Sequence, residues 1–136
     1  ERVYKIGHAV SDETINWTRT GMQIVPDSLG KDECQALPSL IYHQNKFHMF
    51  FCFRGAANFR KNNSNDSYRI GYAYSSDQKN WVRADDQAGI TISKEGWDSD
   101  MQCYPYVFKN KENVFLLYNG NEFGRFGFGL AVLEKD

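Results

Sequence analysis

The chain has 136 residues, room for one domain with its own core, and a formal net charge of −1. That balance removes the electrostatic case for nucleic acid or an anionic membrane surface as partner. Aromatic residues reach 15%, mostly Phe and Tyr, which suits strands, and no apolar run approaches the length that spans a bilayer.

Residues 3–10 alternate, with Tyr4, Ile6, His8 and Val10 on one face and Lys5, Gly7 and Ala9 on the other, so a strand is expected. The small residues of that second face predict close approach of another sheet, and Gly71-Tyr72-Ala73 and Gly129-Leu130-Ala131 repeat the element. Ser11-Asp12-Glu13-Thr14 is a polar turn that delivers Trp17, expected to bury its ring against the next strand. An acidic loop, Gly30-Lys31-Asp32-Glu33-Cys34, precedes the proline-headed apolar run Pro38-Ser39-Leu40-Ile41-Tyr42. A second run, Met49 to Gly55, completes a hairpin around Gln44-Asn45-Lys46. Both runs are continuously apolar, which predicts sheets covered on both faces. Residues 56–67 are polar and Asn-rich and read as a mobile binding loop.

From Tyr68 the pattern starts again. Tyr68-Arg69-Ile70-Gly71-Tyr72-Ala73 copies Tyr4-Lys5-Ile6-Gly7-His8-Ala9, and a Ser-Asp turn again delivers a tryptophan, Trp81. A second acidic loop, Gly96-Trp97-Asp98-Ser99-Asp100, leads to Pro105-Tyr106-Val107-Phe108 and then to Phe115 through Gly120. A short echo, Phe126 to Ala131, follows. Self-similarity at roughly 60 residues marks an array of like supersecondary units. No segment holds a helical period, so the expected class is all-β: four-stranded antiparallel blades of a partial β-propeller. One partial domain over 1–136 is expected, with 3–25 ending one blade, 38–92 forming a full blade and 104–133 most of a third. Such a piece cannot close a ring. Together with a start at Glu1 instead of Met, this predicts either a longer parent protein or copies that associate to cover open faces.

Cys34, Cys52 and Cys103 form no Cys-x-x-Cys spacing and predict buried thiols in a reducing, cytoplasmic setting. His8, His43 and His48 read as core or surface residues, and neither metal nor cofactor is expected. The glycines at 120, 124, 127 and 129 do not open a helix and offer no phosphate cradle.

Antiparallel order places the loop before each first strand and the loop after each second strand on one rim. That rim would carry Asp32, Glu33, Asp98 and Asp100, with Arg54, Asn119, Asn121 and Glu122. Aromatic rings at Tyr104, Tyr106 and Phe123 join them. Carboxylates and amides grip hydroxyls while rings stack on C–H faces, so the expected partner is a carbohydrate.

The blade pattern of acidic loop, Pro-headed strand, aromatic strand, Ile70-Gly71-Tyr72-Ala73-Tyr74-Ser75 and Asp77 through Trp81 resembles the five-bladed propellers of glycoside hydrolase families 32 and 43. The segment from Tyr118 to Ala131 is similar to propellers found beside bacterial surface-polysaccharide genes. The resemblance implies a pair of carboxylates across a funnel. It puts Glu33 in the place of the general acid, with a pKa raised by burial. Gln35-Ala36-Leu37 intervenes before Pro38, a departure from the Glu-x-Pro context. Asp98 and Asp100 would be secondary catalytic carboxylates or sugar ligands. Asp32, Arg54, Tyr104, Asn119, Asn121 and Glu122 would bind substrate. Two functions remain open at this point: a glycosidase-like fragment acting on or binding a carbohydrate, and a non-catalytic binding or assembly module that completes its propeller by oligomerisation.

Overall fold

The computed structural model describes residues 2–61 and 65–134, which are all-β apart from two short turns of helix. Strand β1 (Gly7–Val10) pairs with β2 (Thr18–Gln23). A four-stranded sheet follows in chain order: β3 (Cys34–His43), β4 (Lys46–Arg54), β5 (Arg69–Ser75) and β6 (Val82–Arg83). A third sheet holds β7 (Cys103–Asn110), β8 (Asn113–Asn119) and β9 (Phe128–Val132). Every pairing is antiparallel between sequence neighbours.

Local chemistry explains the turns. Gln44 and Asn45 both adopt left-handed backbone (φ 47° and 62°) between the paired residues His43 and Lys46, a two-residue turn whose twist matches antiparallel strands. The two Ser-Asp turns are copies: Ser11 Oγ accepts from the Thr14 amide and Ser75 Oγ from the Gln78 amide, both at 2.9 Å. Thr14 and Gln78 then take left-handed φ, and their carbonyls accept the indole N–H of Trp17 and Trp81.

The core lies between the sheets. Ile6 and Val25 meet Met49, Phe51, Phe53 and Ala73 between the first two sheets. Cys52, Tyr68, Met101 and Cys103 form a second cluster, and Val107, Val114 and Leu116 a third that reaches Ile41 and Phe50. Each fully buried side chain of the size of Phe51 contributes roughly 1.5–3 kcal/mol.

Three expectations are corrected. At Gly71 and Gly129 the Gly-x-Ala elements do not admit another sheet; they seat a ring from the neighbouring strand, while Gly7 faces only the Met22 carbonyl. A Cβ at Gly71 would strike the Phe51 ring, its cross-strand partner, and one at Gly129 would lie 2.7 Å from Tyr118, likewise its partner. Cover on both faces holds for β4 and β5 but fails on the first strands. Leu40, Tyr42 and Tyr106 stay 45–60% exposed, although Phe47 lies beside the Tyr42 ring and Phe108 beside the Tyr106 ring. Trp81 is half-buried against the first core, but Trp17 remains 59% exposed, since its sheet has two strands and little to lean on.

Candidate functional site

Strands β3, β5 and β7 begin at the same end of their sheets, where β4 and β8 finish. The contacts are direct: the Gln35 amide donates to the Tyr4 carbonyl at 2.9 Å and the Gln102 amide to the Tyr68 carbonyl at 3.1 Å. Both acidic loops therefore open on one end of the sheets. Their side chains, however, follow separate courses.

Glu33 is fully buried. Its Oε2 accepts from the Ser28 amide, the Ser28 hydroxyl and the Leu29 amide at 2.8–3.0 Å. Its Oε1 accepts from Gln35 Nε2 at 2.9 Å and pairs with Arg83 Nη1 at 2.5 Å. Arg83 in turn has Nη2 2.8 Å from Asp85 Oδ2 and lies over the Phe51 and Phe53 rings. Burial pushes the Glu33 carboxyl up, but the hydrogen bonds from Gln35, Arg83, Leu29 and Ser28 outweigh it and hold the pKa below its ordinary value of 4.5. A raised pKa was expected here; the donors that fill both oxygens reverse its sign. Neighbouring Asp32 points into solvent.

Asp98 is also buried, with Oδ2 accepting from Gln102 Nε2 at 3.0 Å and from the Tyr118 hydroxyl at 3.3 Å. Burial first, then the charge and hydrogen bond of Asp98, push the Tyr118 phenol up to about 12. Asn121 holds the same loop from the other side. Its Oδ1 accepts from the amides of Asp100 and Met101, and its Nδ2 donates to the Gly96 carbonyl and to Ser99 Oγ. Asn119 donates to the Phe123 carbonyl, closing a turn in which Glu122 and Phe123 take left-handed φ of 50° and 60°. Glu122 pairs with Arg125 at the surface.

Arg54 is buried in an aromatic nest. Nε donates to the hydroxyls of Tyr4 (3.2 Å) and Tyr68 (3.1 Å), which are bonded to each other at 2.8 Å. Its guanidinium lies 3.7 Å from the Phe59 ring centroid. Burial alone would lower its pKa, but the tyrosine hydroxyls raise it. From this nest a row of rings leads outward: Phe59 meets Tyr68 edge-on, Tyr68 meets Phe123, and Phe123 stacks on Tyr104 at 6.0 Å and 26°. Arg60 lies over both Phe59 and Phe123. Tyr104 is 41% exposed, aimed outward by a bulge in β7 that gives it φ 57°; Leu37 sits in the matching bulge of β3 with φ 53°. Cys52 and Cys103 beneath are neutral thiols, pushed up by burial to about 11 and about 12.

Of the expected site residues, Asp100, Asn121 and Glu122 come together, in a cleft of about 170 Å³ that Arg60, Lys61, Phe59 and Phe126 complete. Arg54 and Tyr104 stand beside it through Phe59 and Phe123. Glu33 and Asp98 do not join it; each is buried among its own hydrogen-bond partners. Tyr4, Phe59, Arg60 and Tyr68 went unassigned in the sequence, Arg60 because it sits in the polar 56–67 stretch, whose centre, 62–64, lies outside the described residues. The glutamines Gln35 and Gln102 were also missed, although a Gln three residues before each strand-heading proline was a legible signal. A separate groove of about 640 Å³ lies toward the other end, by His43 and His48. There the His48 ring bonds the Tyr72 hydroxyl at 2.7 Å and the His43 carbonyl at 3.0 Å.

No family model matches the chain. An uncharacterized protein of Mycobacterium tuberculosis, Rv1502 in strain H37Rv and MT1551 in strain CDC 1551, is 37% identical over 131 residues. The match takes in 96% of this chain, which spans 40% of the length of those curated relatives. Among solved structures, one described as a glycoside hydrolase superposes with a TM-score of 0.68 at 19% identity, over 97% of this chain and 36% of that one. A complex of BT0996 with RGII matches equally, with a TM-score of 0.68 at 19% identity over 96% and 36%. Zg3597, a family 117 glycoside hydrolase of Zobellia galactanivorans, reaches 0.53 at 15% identity over 74% and 34%. The fold is thus glycoside-hydrolase-like.

Proposed function

We propose that the chain forms consecutive blades of a propeller of the glycoside hydrolase 43/32 type, and that it binds a carbohydrate in the cleft of Asp100, Asn121 and Glu122. The observation that carries this reading is the meeting of carboxylates, cations and rings in one small recess. Glu122 and Asp100 accept from hydroxyls, Arg60 and Lys61 donate to ring or hydroxyl oxygens, and Phe59 and Phe126 offer an apolar wall, with the Tyr104–Phe123 stack beside the recess. The likeness to glycoside hydrolase structures supports the same substrate class. Within this chain the role is binding, since Glu33 is spent on Arg83 and the Ser28–Leu29 amides. Any bond cleavage would use carboxylates of a longer polypeptide.

A glycan array followed by titration of the best binder tests the proposal. Glu122→Ala and Tyr104→Ala should each weaken binding roughly ten-fold, about the loss of one good contact. Binding untouched by both substitutions would refute the cleft.

A second reading, assembly, is favoured by one feature. Phe128, Leu130 and Val132 line one face of β9, each more than half exposed, beside Leu117 and Phe115 of β8. A further sheet, from a longer chain or another copy, would cover it. Sedimentation of the 136-residue chain as a monomer at all concentrations would exclude self-association.

A further inference from the structure

Two features that the second sheet completes are left open on the first. On the second sheet Gly71 is roofed by the ring of Phe51 from β4. Arg83, paired in register with Ala73, lays its guanidinium over the Phe51 and Phe53 rings and meets the carboxylate of Glu33. The first sheet repeats the receiving half of this arrangement. Gly7 stands where Gly71 does in the copied Ile-Gly-x-Ala element, and Arg19 pairs with Ala9 as Arg83 pairs with Ala73. The supplying half is missing. Within 4 Å a Cβ at Gly7 would meet only the Met22 carbonyl, at 3.7 Å. Arg19 is exposed and its guanidinium has no ion pair among the described residues. Gly7, Ala9, Arg19 and Gly21 share a groove of about 440 Å³. Among the described residues β1 pairs with β2 alone, so its other edge has no strand partner.

We infer that the free edge of β1 takes an antiparallel β-hairpin from a longer polypeptide, with an aromatic residue opposite Gly7 and a carboxylate ahead of its first strand for Arg19. The groove fits that partner. Gly7, Ala9 and Gly21 give it a floor with nothing larger than a methyl group, and a cross-strand ring is the usual cover for a glycine in a strand. Lys5 also lines the groove, but Asp27 takes its charge, which leaves Arg19 to select an acidic partner. A second copy of the chain has no free hairpin to offer, because its own Phe51 and Glu33 are seated on Gly71 and Arg83. The curated relatives, of which this chain spans 40%, have further sequence from which such a hairpin could come. Strand addition of this kind draws affinity from the backbone and specificity from the alternate side chains. The inference rests on reading the sheets as successive blades and is independent of the carbohydrate cleft.

The test is an amide-resolved NMR titration of the full chain with a synthetic peptide of residues 28–55, which carries Glu33, Phe51 and Phe53. In a second form the same segment, extended to residue 67, is fused ahead of Tyr4 in place of residues 1–3, which raises its local concentration. Saturable shifts along 5–10 and 19–23 are expected with the peptide, and roughly ten-fold slower amide exchange there in the fusion. Phe51→Ala in the peptide should weaken binding roughly ten-fold. Arg19→Ala in the chain and Glu33→Gln in the peptide should each weaken it several-fold, with no further loss in combination, since both remove one ion pair. Gly7→Val fills the ring seat from the chain's own side and should abolish binding, while sugar affinity in the Asp100–Asn121–Glu122 cleft stays unchanged. Undiminished binding with both Phe51→Ala and Gly7→Val would overturn the inference and leave the blade reading standing. No change at 5–10 with either peptide or fusion would overturn both. Shifts at 5–10 on concentrating the chain alone would give the edge to a second copy and overturn the inference as well.

Discussion

In the loop ahead of β3 the buried carboxylate of Glu33 meets a buried arginine, whereas in the loop ahead of β7 the buried carboxylate of Asp98 meets two neutral donors. The difference follows from the strand that supplies the arginine. Arg83 belongs to β6, the outermost strand of the four-stranded sheet, and among the described residues the third sheet has no counterpart to β6. One loop is therefore an ionic lock and the other a neutral one, on a shared glutamine scaffold. The two should fail differently.

The largest effect should come from breaking the ionic lock. Arg83→Met leaves Glu33 buried without its cation and should cost about 3–5 kcal/mol, read from urea unfolding. In the other loop, Asn121→Ala removes the amide that binds Asp100, Met101, Gly96 and Ser99, and should cost about 1–3 kcal/mol. Its sugar affinity should fall with it in the Asp100–Asn121–Glu122 cleft.

The pH dependence should separate the loops by sign. The Glu33 carboxyl lies below 4.5 in the fold, so its stabilisation is complete above that pH and is lost as pH falls through the folded value. Glu33→Gln should flatten this acid limb of a stability-against-pH curve. Tyr118 is raised to about 12, so its contribution is present below the ordinary phenol value of 10 and is lost as pH climbs from there toward 12. Tyr118→Phe should flatten part of the alkaline limb and cost about 1 kcal/mol at neutral pH. The smallest effect is expected at Arg125→Ala. Its exposed pair with Glu122 should be worth under about 0.5 kcal/mol in the same unfolding assay.

The strands were legible because their information is local. Alternation, turn residues and the repeated Ile-Gly-x-Ala element set period and pairing within a few residues of one another. The use of Glu33 was not, because its partner Arg83 lies 50 residues away and arrives through a two-residue strand with no pattern of its own. A buried carboxylate also reads the same in sequence whether it is ionised by an arginine or kept neutral for proton transfer. The recess itself was half visible. Asp100, Asn121 and Glu122 could be ranked by loop position, but Arg60 and Phe59 sit in an Asn-rich stretch whose composition carries no sign of packing. Glycine was misjudged for a related reason: its lack of a side chain signals close approach without saying whether a sheet or a cross-strand ring comes near, and at Gly71 it is the Phe51 ring.

The account turns on Glu33 being an ionised fastener that ties the 28–29 loop to Arg83 of β6, and not a proton donor. Carboxyl-resolved ¹³C NMR titration of Glu33 tests it most directly. A midpoint below 4.5 that moves upward in Arg83→Met is the predicted result. A midpoint above 4.5 in the unsubstituted chain would contradict the account and return Glu33 to the role of general acid.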